Sequence, residues 1–494
     1  MKKTVFVFVC LFSFTTAFAQ DYKSEGDAMV AAGNYSGAAE MYKMCMNSDD
    51  NCIFELCSMI IKGNIKPQFT NEVYQIINPL AQNGNTVAQW FLGFIYLNGY
   101  GVAQDYREAV KWLQKSADQG YSYAQNYLGG MYGNGLGVKQ NYQEALQWFQ
   151  KSAAQGNYYA QNSLGMMYDD GLGVQQDYRE AIKWYQKSAE QGYAEAQNNL
   201  GWMYINGLGG RPNYQEALKW FQKSALQGNA VAQNRLGLIY SKGLGVTPNY
   251  QEAVKWYRKS AEQGYANAQN NLGFMYYNGL GVKQNYQEAV NWYQKSAEQG
   301  NADAQNYLGL MYYNGLGVSQ NYQQAVNWFQ KSAQQDNAIA QNNLGWMYRN
   351  GFGVKQDYQE ALNLFQKSAG QGYSYAQYNI GVMYRDGLGV KKDYKTALDW
   401  LQKSADQDNP DAQNGLGDMY RNGWGVAQDY EKAVRWYLKS DEQGNSDAQN
   451  NLGEMYRDGL GVKKDYQKTK KYFQESAAQG NKKAIENLKK MGVR

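Results

Sequence analysis

Residues 268–303 read AQNNLGFMYYNGLGVKQNYQEAVNWYQKSAEQGNAD, and nearly the same 36 residues follow from 304 and again from 340. The alanine of the Ala-Gln pair recurs at Ala88, Ala124, Ala160, Ala196, Ala232, Ala268, Ala304, Ala340, Ala376, Ala412 and Ala448. Every step is 36 residues, without insertion or deletion, and Ala484 opens a partial copy. A fixed period of about 20–50 residues marks a solenoid or array, so length alone does not decide the number of domains.

Each copy carries two helix patterns. Ala304, Leu308, Met311 and Tyr312 fall on one face of a helix with a 3.6-residue period. Gly309 stands inside that helix, where glycine costs about 1 kcal/mol against alanine. Its recurrence in all eleven copies predicts close packing of one helix backbone on another. Asn314-Gly315-Leu316-Gly317 ends the helix, with Gly315 suited to a left-handed cap. The second helix starts at Asn285-Tyr286-Gln287-Glu288, a capping-box pattern. Its apolar stripe is Ala289, Val290, Trp292, Tyr293 and Ala297, with the tryptophan read as a core residue. Each copy is therefore an antiparallel helix pair. One pair cannot bury its apolar face alone, but a stack of pairs can. The fold class is all-α, a solenoid of stacked helix pairs.

The composition narrows the chemistry. The chain has 494 residues, 48 Lys+Arg against 44 Asp+Glu, and no histidine. The +4 balance does not point to nucleic acid. The missing histidine removes the usual catalytic triads and the histidine-based metal sites. No converging carboxylate pair is visible, so the expectation is a non-enzyme with no cofactor and no metal. The first residues, MKKTVFVFVCLFSFTTAFAQ, place Lys2 and Lys3 before an apolar run and an Ala17-Phe18-Ala19 cleavage site. This predicts a signal peptide over 1–19 and export to a bacterial periplasm or beyond. No later apolar stretch approaches the roughly 18 residues that span a bilayer, so no transmembrane segment is expected after cleavage. Cys45, Cys52 and Cys57 then remain, and an exported chain favours a disulfide, expected to involve Cys45.

Outside the copies the pattern fades. Residues 20–87 read as degenerate N-terminal capping repeats, 88–483 as the eleven copies and 484–494 as a C-terminal capping helix. The C-terminal copy is crowded with lysine, as a solvated end would be.

The unit A-Q-x-x-L-G-x-M-Y-x-N-G-x-G-V-x-x-(N/D)-Y-x-E-A-x-x-W-(Y/F)-x-K-S-A-x-Q-G resembles the Sel-one-like repeat, a branch of the tetratricopeptide superfamily. The resemblance implies a right-handed superhelix with the first helices lining its concave side, and an adaptor or scaffold role. Two departures are visible. Ser296 and Ser332 stand where the family usually has alanine, and Leu364 replaces the aromatic ring.

Recognition must use the positions that vary. Counted from the alanine, positions −1, +3, +6 and +9 vary most and cluster on one helix face at about 100° per residue. Position +6 includes Trp202, Phe274 and Trp346; position +9 includes Tyr277, Tyr313, Arg349 and Arg385. Exposed aromatic and arginine side chains are common interface anchors. Asp418–Arg421 and Glu454–Arg457 read as i, i+3 pairs, which leaves Arg349 and Arg385 as the better ligand candidates. The near-constant asparagine at +2, including Asn198, Asn270, Asn306 and Asn342, either grips a peptide backbone or braces the neighbouring copy. The expected partner is a protein or an extended peptide held in the groove. A carbohydrate or other cell-envelope polymer is the alternative.

Overall fold

The structure, a computed structural model, describes residues 22–46, 49–61 and 70–492, and every regular element among them is a helix. The proposed signal peptide lies outside the described residues. The chain divides between Pro248 and Asn249 into two compact units.

In the second unit, Ala266–Asn278 pairs with Tyr286–Glu298, and Ala302–Asn314 with Tyr322–Ala333. The first unit repeats this with Ser122–Asn134 and Tyr142–Ala154. Helices this short are marginal alone, so packing must hold them. Their ends are set locally. Asn301 Oδ1 accepts from the Ala304 N–H at 2.9 Å, and Gly315 closes the helix at φ 69° with its N–H on the Met311 carbonyl. Gly317, at φ 70°, has a different duty: a β-carbon there would strike the Tyr286 carbonyl of the preceding copy.

The capping box forms only by half. Asn285 Oδ1 accepts from the Glu288 N–H at 3.1 Å, but the Asn285 N–H donates to the Tyr276 carbonyl across the turn. With that donor satisfied, the glutamate at this position is free for its neighbours. Glu252 pairs with Lys255 and Glu180 with Lys183.

The core lies between copies. Ala289, Val290, Tyr293 and Ala297 of one second helix pack with Ala304, Leu308 and Met311 of the next first helix. Trp328, from the following second helix, closes this cluster. The recurrent tryptophan is thus a staple between neighbours. Some copies bury it fully, as at Trp148 and Trp220, and others only partly. A lysine three residues on covers the ring, at 4.0 Å from its centre at Trp148 and 4.3 Å at Trp292.

The glycine inside the first helix meets a ring rather than a backbone. A β-carbon on Gly309 would stand 2.6 Å from Cδ1 and Cε1 of Phe329. The expectation of backbone-on-backbone packing is corrected accordingly: in most copies the missing side chain seats an aromatic ring of the second helix, and at Gly93 and Gly381 a leucine.

Two polar bonds recur with the period. Ser296 Oγ donates to the Ala266 carbonyl at 2.7 Å, and Ser332 Oγ to the Ala302 carbonyl at 2.7 Å. The hydroxyl ties the two helices of one copy together. Glutamine joins one copy to the next. Gln305 Nε2 donates to the Ala297 carbonyl of the preceding copy at 3.1 Å, and Gln305 Oε1 accepts from Gln335 Nε2 at 2.8 Å. Both serine and glutamine are buried, so these bonds satisfy groups that would otherwise be costly.

At the N-terminal end, Cys45 and Cys52 form a disulfide and Cys57 is a buried free thiol. At the other end the helix Lys482–Lys490 covers the last copy, burying Ala484 and Asn487.

Candidate functional site

The face formed by first helices differs in its residues from copy to copy while the framework beneath stays constant. In the first unit Met166 and Trp202 stand on it, 46% and 43% exposed; in the second, Phe274 and Trp346 are 38% and 37% exposed. These are among the few large apolar side chains the fold leaves in water, and all four occupy position +6. The stripe is not apolar throughout its length. Val382 is buried, and Asp418 and Glu454 follow at the same position.

Arginines flank the tryptophans. The Arg235 guanidinium lies 4.5 Å above the Trp202 ring and donates to Asn198 Oδ1 at 2.9 Å. The Arg349 guanidinium lies 5.4 Å from the Trp346 ring and donates to Asn379 Oδ1 at 3.4 Å. Arg349 has no carboxylate partner among the described residues, and burial pushes its pKa down. Arg385 differs from the expectation. It pairs with the adjacent Asp386 through two bonds of 2.7 and 2.9 Å, which hold that carboxyl below the usual range. The anticipated i, i+3 pairs do not form either. Arg421 reaches Glu454 of the next copy at 2.8 Å, and Arg457 turns to Asp458. Asp418 instead accepts from the Tyr437 hydroxyl at 2.7 Å, and burial pushes its pKa up.

Tyr277 and Tyr313 pack sideways. Tyr277 lies 5.5 Å from Tyr286, and Tyr313 lies 5.5 Å from Tyr322 and 6.3 Å from Phe352, each half-buried at the rim of the face.

Several of the asparagines at +2 have their acceptors engaged. Asn306 Oδ1 accepts from Asn343, and Asn342 Oδ1 from Asn379, both at 2.9 Å from the following copy. Asn198 accepts from Arg235. At Asn270 the corresponding donor position holds Tyr307, and its buried Oδ1 has no hydrogen-bond partner. This geometry braces neighbouring copies.

Sequence reasoning passed over a second aromatic group, at the start of the array. Tyr123, Tyr127 and Tyr159 occupy positions −1 and +3, the same variable face, and close on Trp90 and Phe54. The tyrosines at −1 and +3 in consecutive copies were the available signal. Phe54 gave none, because it sits where the period has faded. Among the described residues no group of three or more histidine, cysteine or acidic side chains could hold a metal ion, and no helix is long and apolar enough to cross a membrane.

Stacked helix pairs with a constant framework and a variable face define a helical-repeat scaffold. The Sel1 repeat matches the chain eleven times, from 86–121 to 446–481, and the chain belongs to that family, within the tetratricopeptide-like superfamily. The solved structure of c5321, a protective antigen present in uropathogenic Escherichia coli strains and displaying this repeat fold, is 38% identical. It aligns over 85% of this chain and 91% of its own, with a TM-score of 0.72. A Sel1 repeat protein from Oxalobacter formigenes is 32% identical over 63% of this chain and 92% of its own, with a TM-score of 0.47. No curated protein sequence matches the chain.

Proposed function

We propose that this protein is an exported scaffold that holds an extended peptide or a protein segment on its first-helix face. One observation carries the reading: in each unit position +6 of a first helix stands exposed and apolar, at Met166 and Trp202 in the first and at Phe274 and Trp346 in the second, while Leu164, Leu200, Leu272 and Leu344 two residues before them are buried. Partly exposed aromatic residues beside a guanidinium are the usual anchors of a protein interface. With Asn198, Asn306 and Asn342 engaged, anchoring falls to these rings and to Arg349. The signal peptide expected over 1–19 supports action outside the cytoplasm, in the periplasm or beyond it.

The test is selection from a random peptide display library on the mature chain, starting at Gln20. A variant carrying Trp202→Ala, Phe274→Ala and Trp346→Ala is panned in parallel. The four named +6 residues are exposed, so the variant should keep its unfolding midpoint within a few degrees. Enriched peptides that bind the wild type and not the variant support the reading. Equal enrichment on both moves the site off this face. Co-sedimentation of the wild type alone with purified cell-wall polymer would replace the peptide by a polymer.

A further inference from the structure

A cavity of about 510 Å³ opens in the first unit, where the N-terminal helices meet the first helices of the first three copies. Its walls are rings. Phe54 lies 5.4 Å from Tyr123, Tyr123 lies 5.7 Å from Trp90 and 6.4 Å from Tyr159, and Trp90 lies 6.2 Å from Tyr127. Its polar lining includes one carboxylate, Glu55. Glu55 is half-buried and makes no hydrogen bond or ion pair with any described residue. The nearby Lys23 is bonded to Asp27 at 2.8 Å. No cationic side chain lines the cavity.

These groups select one chemistry. Aromatic faces are negative and attract cations. A carboxylate adds charge of the same preference. A planar guanidinium can lie on the rings and donate from its edge, and it is more weakly hydrated than a compact ammonium, so aromatic walls desolvate it more readily. The volume fits a ligand of amino-acid to small-peptide size. We infer that the cavity between Phe54, Trp90, Tyr123 and Tyr159 is a binding site for a guanidinium group, with the Glu55 carboxylate as its acceptor. The site shares the helix face of the +6 stripe but needs no peptide along that stripe.

The test is isothermal titration of the mature chain with acetyl-arginine amide. The matching citrulline derivative, which has the same shape without the charge, is the control. Ala-Arg-Ala, blocked at both ends, is a second arm that separates a free amino acid from a peptide source. The arginine amide should bind at least about tenfold more tightly than the citrulline amide. Glu55→Gln and Tyr159→Leu, the latter at a ring 38% exposed, should each weaken it by about three- to tenfold. The triple +6 variant should leave this binding unchanged, so loss of the peptide reading would not remove this one. Tighter binding of the tripeptide than of the amide would assign the site to a peptide. Equal binding of the arginine and citrulline compounds, no effect of either substitution, or no heat at millimolar arginine amide would each overturn the inference.

Discussion

Replacing Gly309 by alanine tests how the two helices of a copy are joined. In an open helix the change would stabilise by about 1 kcal/mol. Here the new methyl stands 2.6 Å from two carbons of the Phe329 ring, where carbon contacts settle at about 3.5–4.0 Å. The ring is only 1% exposed and cannot turn aside. Overpacking of this degree costs about 1–3 kcal/mol, so Gly309→Ala should destabilise by about 1 kcal/mol net. Phe329→Ala alone should cost about 3–5 kcal/mol by opening a void. In that background Gly309→Ala should become stabilising by about 1 kcal/mol, a reversal of sign and a coupling of about 2 kcal/mol. Neighbouring copies unfold as semi-independent units, so urea titration should be joined to hydrogen exchange over 302–333. A stabilising Gly309→Ala in the wild-type chain would refute the ring-seat account.

Further outcomes follow from the same contacts. Gln305→Leu removes a donor to Ala297 and an acceptor for Gln335, and should cost about 1–3 kcal/mol, with exchange rising at the junction before and after 304. Reducing the Cys45–Cys52 bond, which closes a sequence separation of 7, should lower stability of the N-terminal helices by about 2–3 kcal/mol by the loop-entropy relation. Melting with and without reductant measures it. Cys57, whose thiol burial pushes up, should resist alkylation until the chain unfolds. Burial raises the Asp418 pKa above its unfolded value, so the folded state binds the extra proton. That contribution to stability falls as pH rises from the ordinary carboxylate value through the raised one. Asp418→Asn should flatten this fall in a pH series of urea midpoints, and an unchanged slope would assign the effect elsewhere.

The period and the alternation of helix and turn were legible because each copy repeats its own local signals: asparagine at the cap, glycine at the end, apolar residues on one face. What joins the copies was not. The serine hydroxyl looked like a minor departure from alanine, since its acceptor lies 30 residues away on the other helix. The glutamine ladder likewise needs two copies side by side to be seen. At the candidate site, position +6 was readable from its variation, and Trp202, Phe274 and Trp346 do stand exposed. The partner of Arg385 was missed because an i, i+3 rule looks along a helix face, whereas Asp386 is its immediate neighbour at the helix end. The ring cluster around Trp90 was missed because its members come from three successive segments, one of which no longer keeps the pattern.

The glutamine ladder also sets the unit in which this protein can change length. Each Gln–Gln bond spans 30 residues within a copy, and each glutamine–carbonyl bond spans 8 across a boundary. Loss or gain of one whole copy restores both spacings, while any other change breaks them at the junction. The near-identity of the copies at the protein level would let unequal recombination between their coding segments shorten or lengthen the chain in steps of 36 residues. Each product would still close its polar bonds, and the number of first helices would be inherited as a variable count of equal increments.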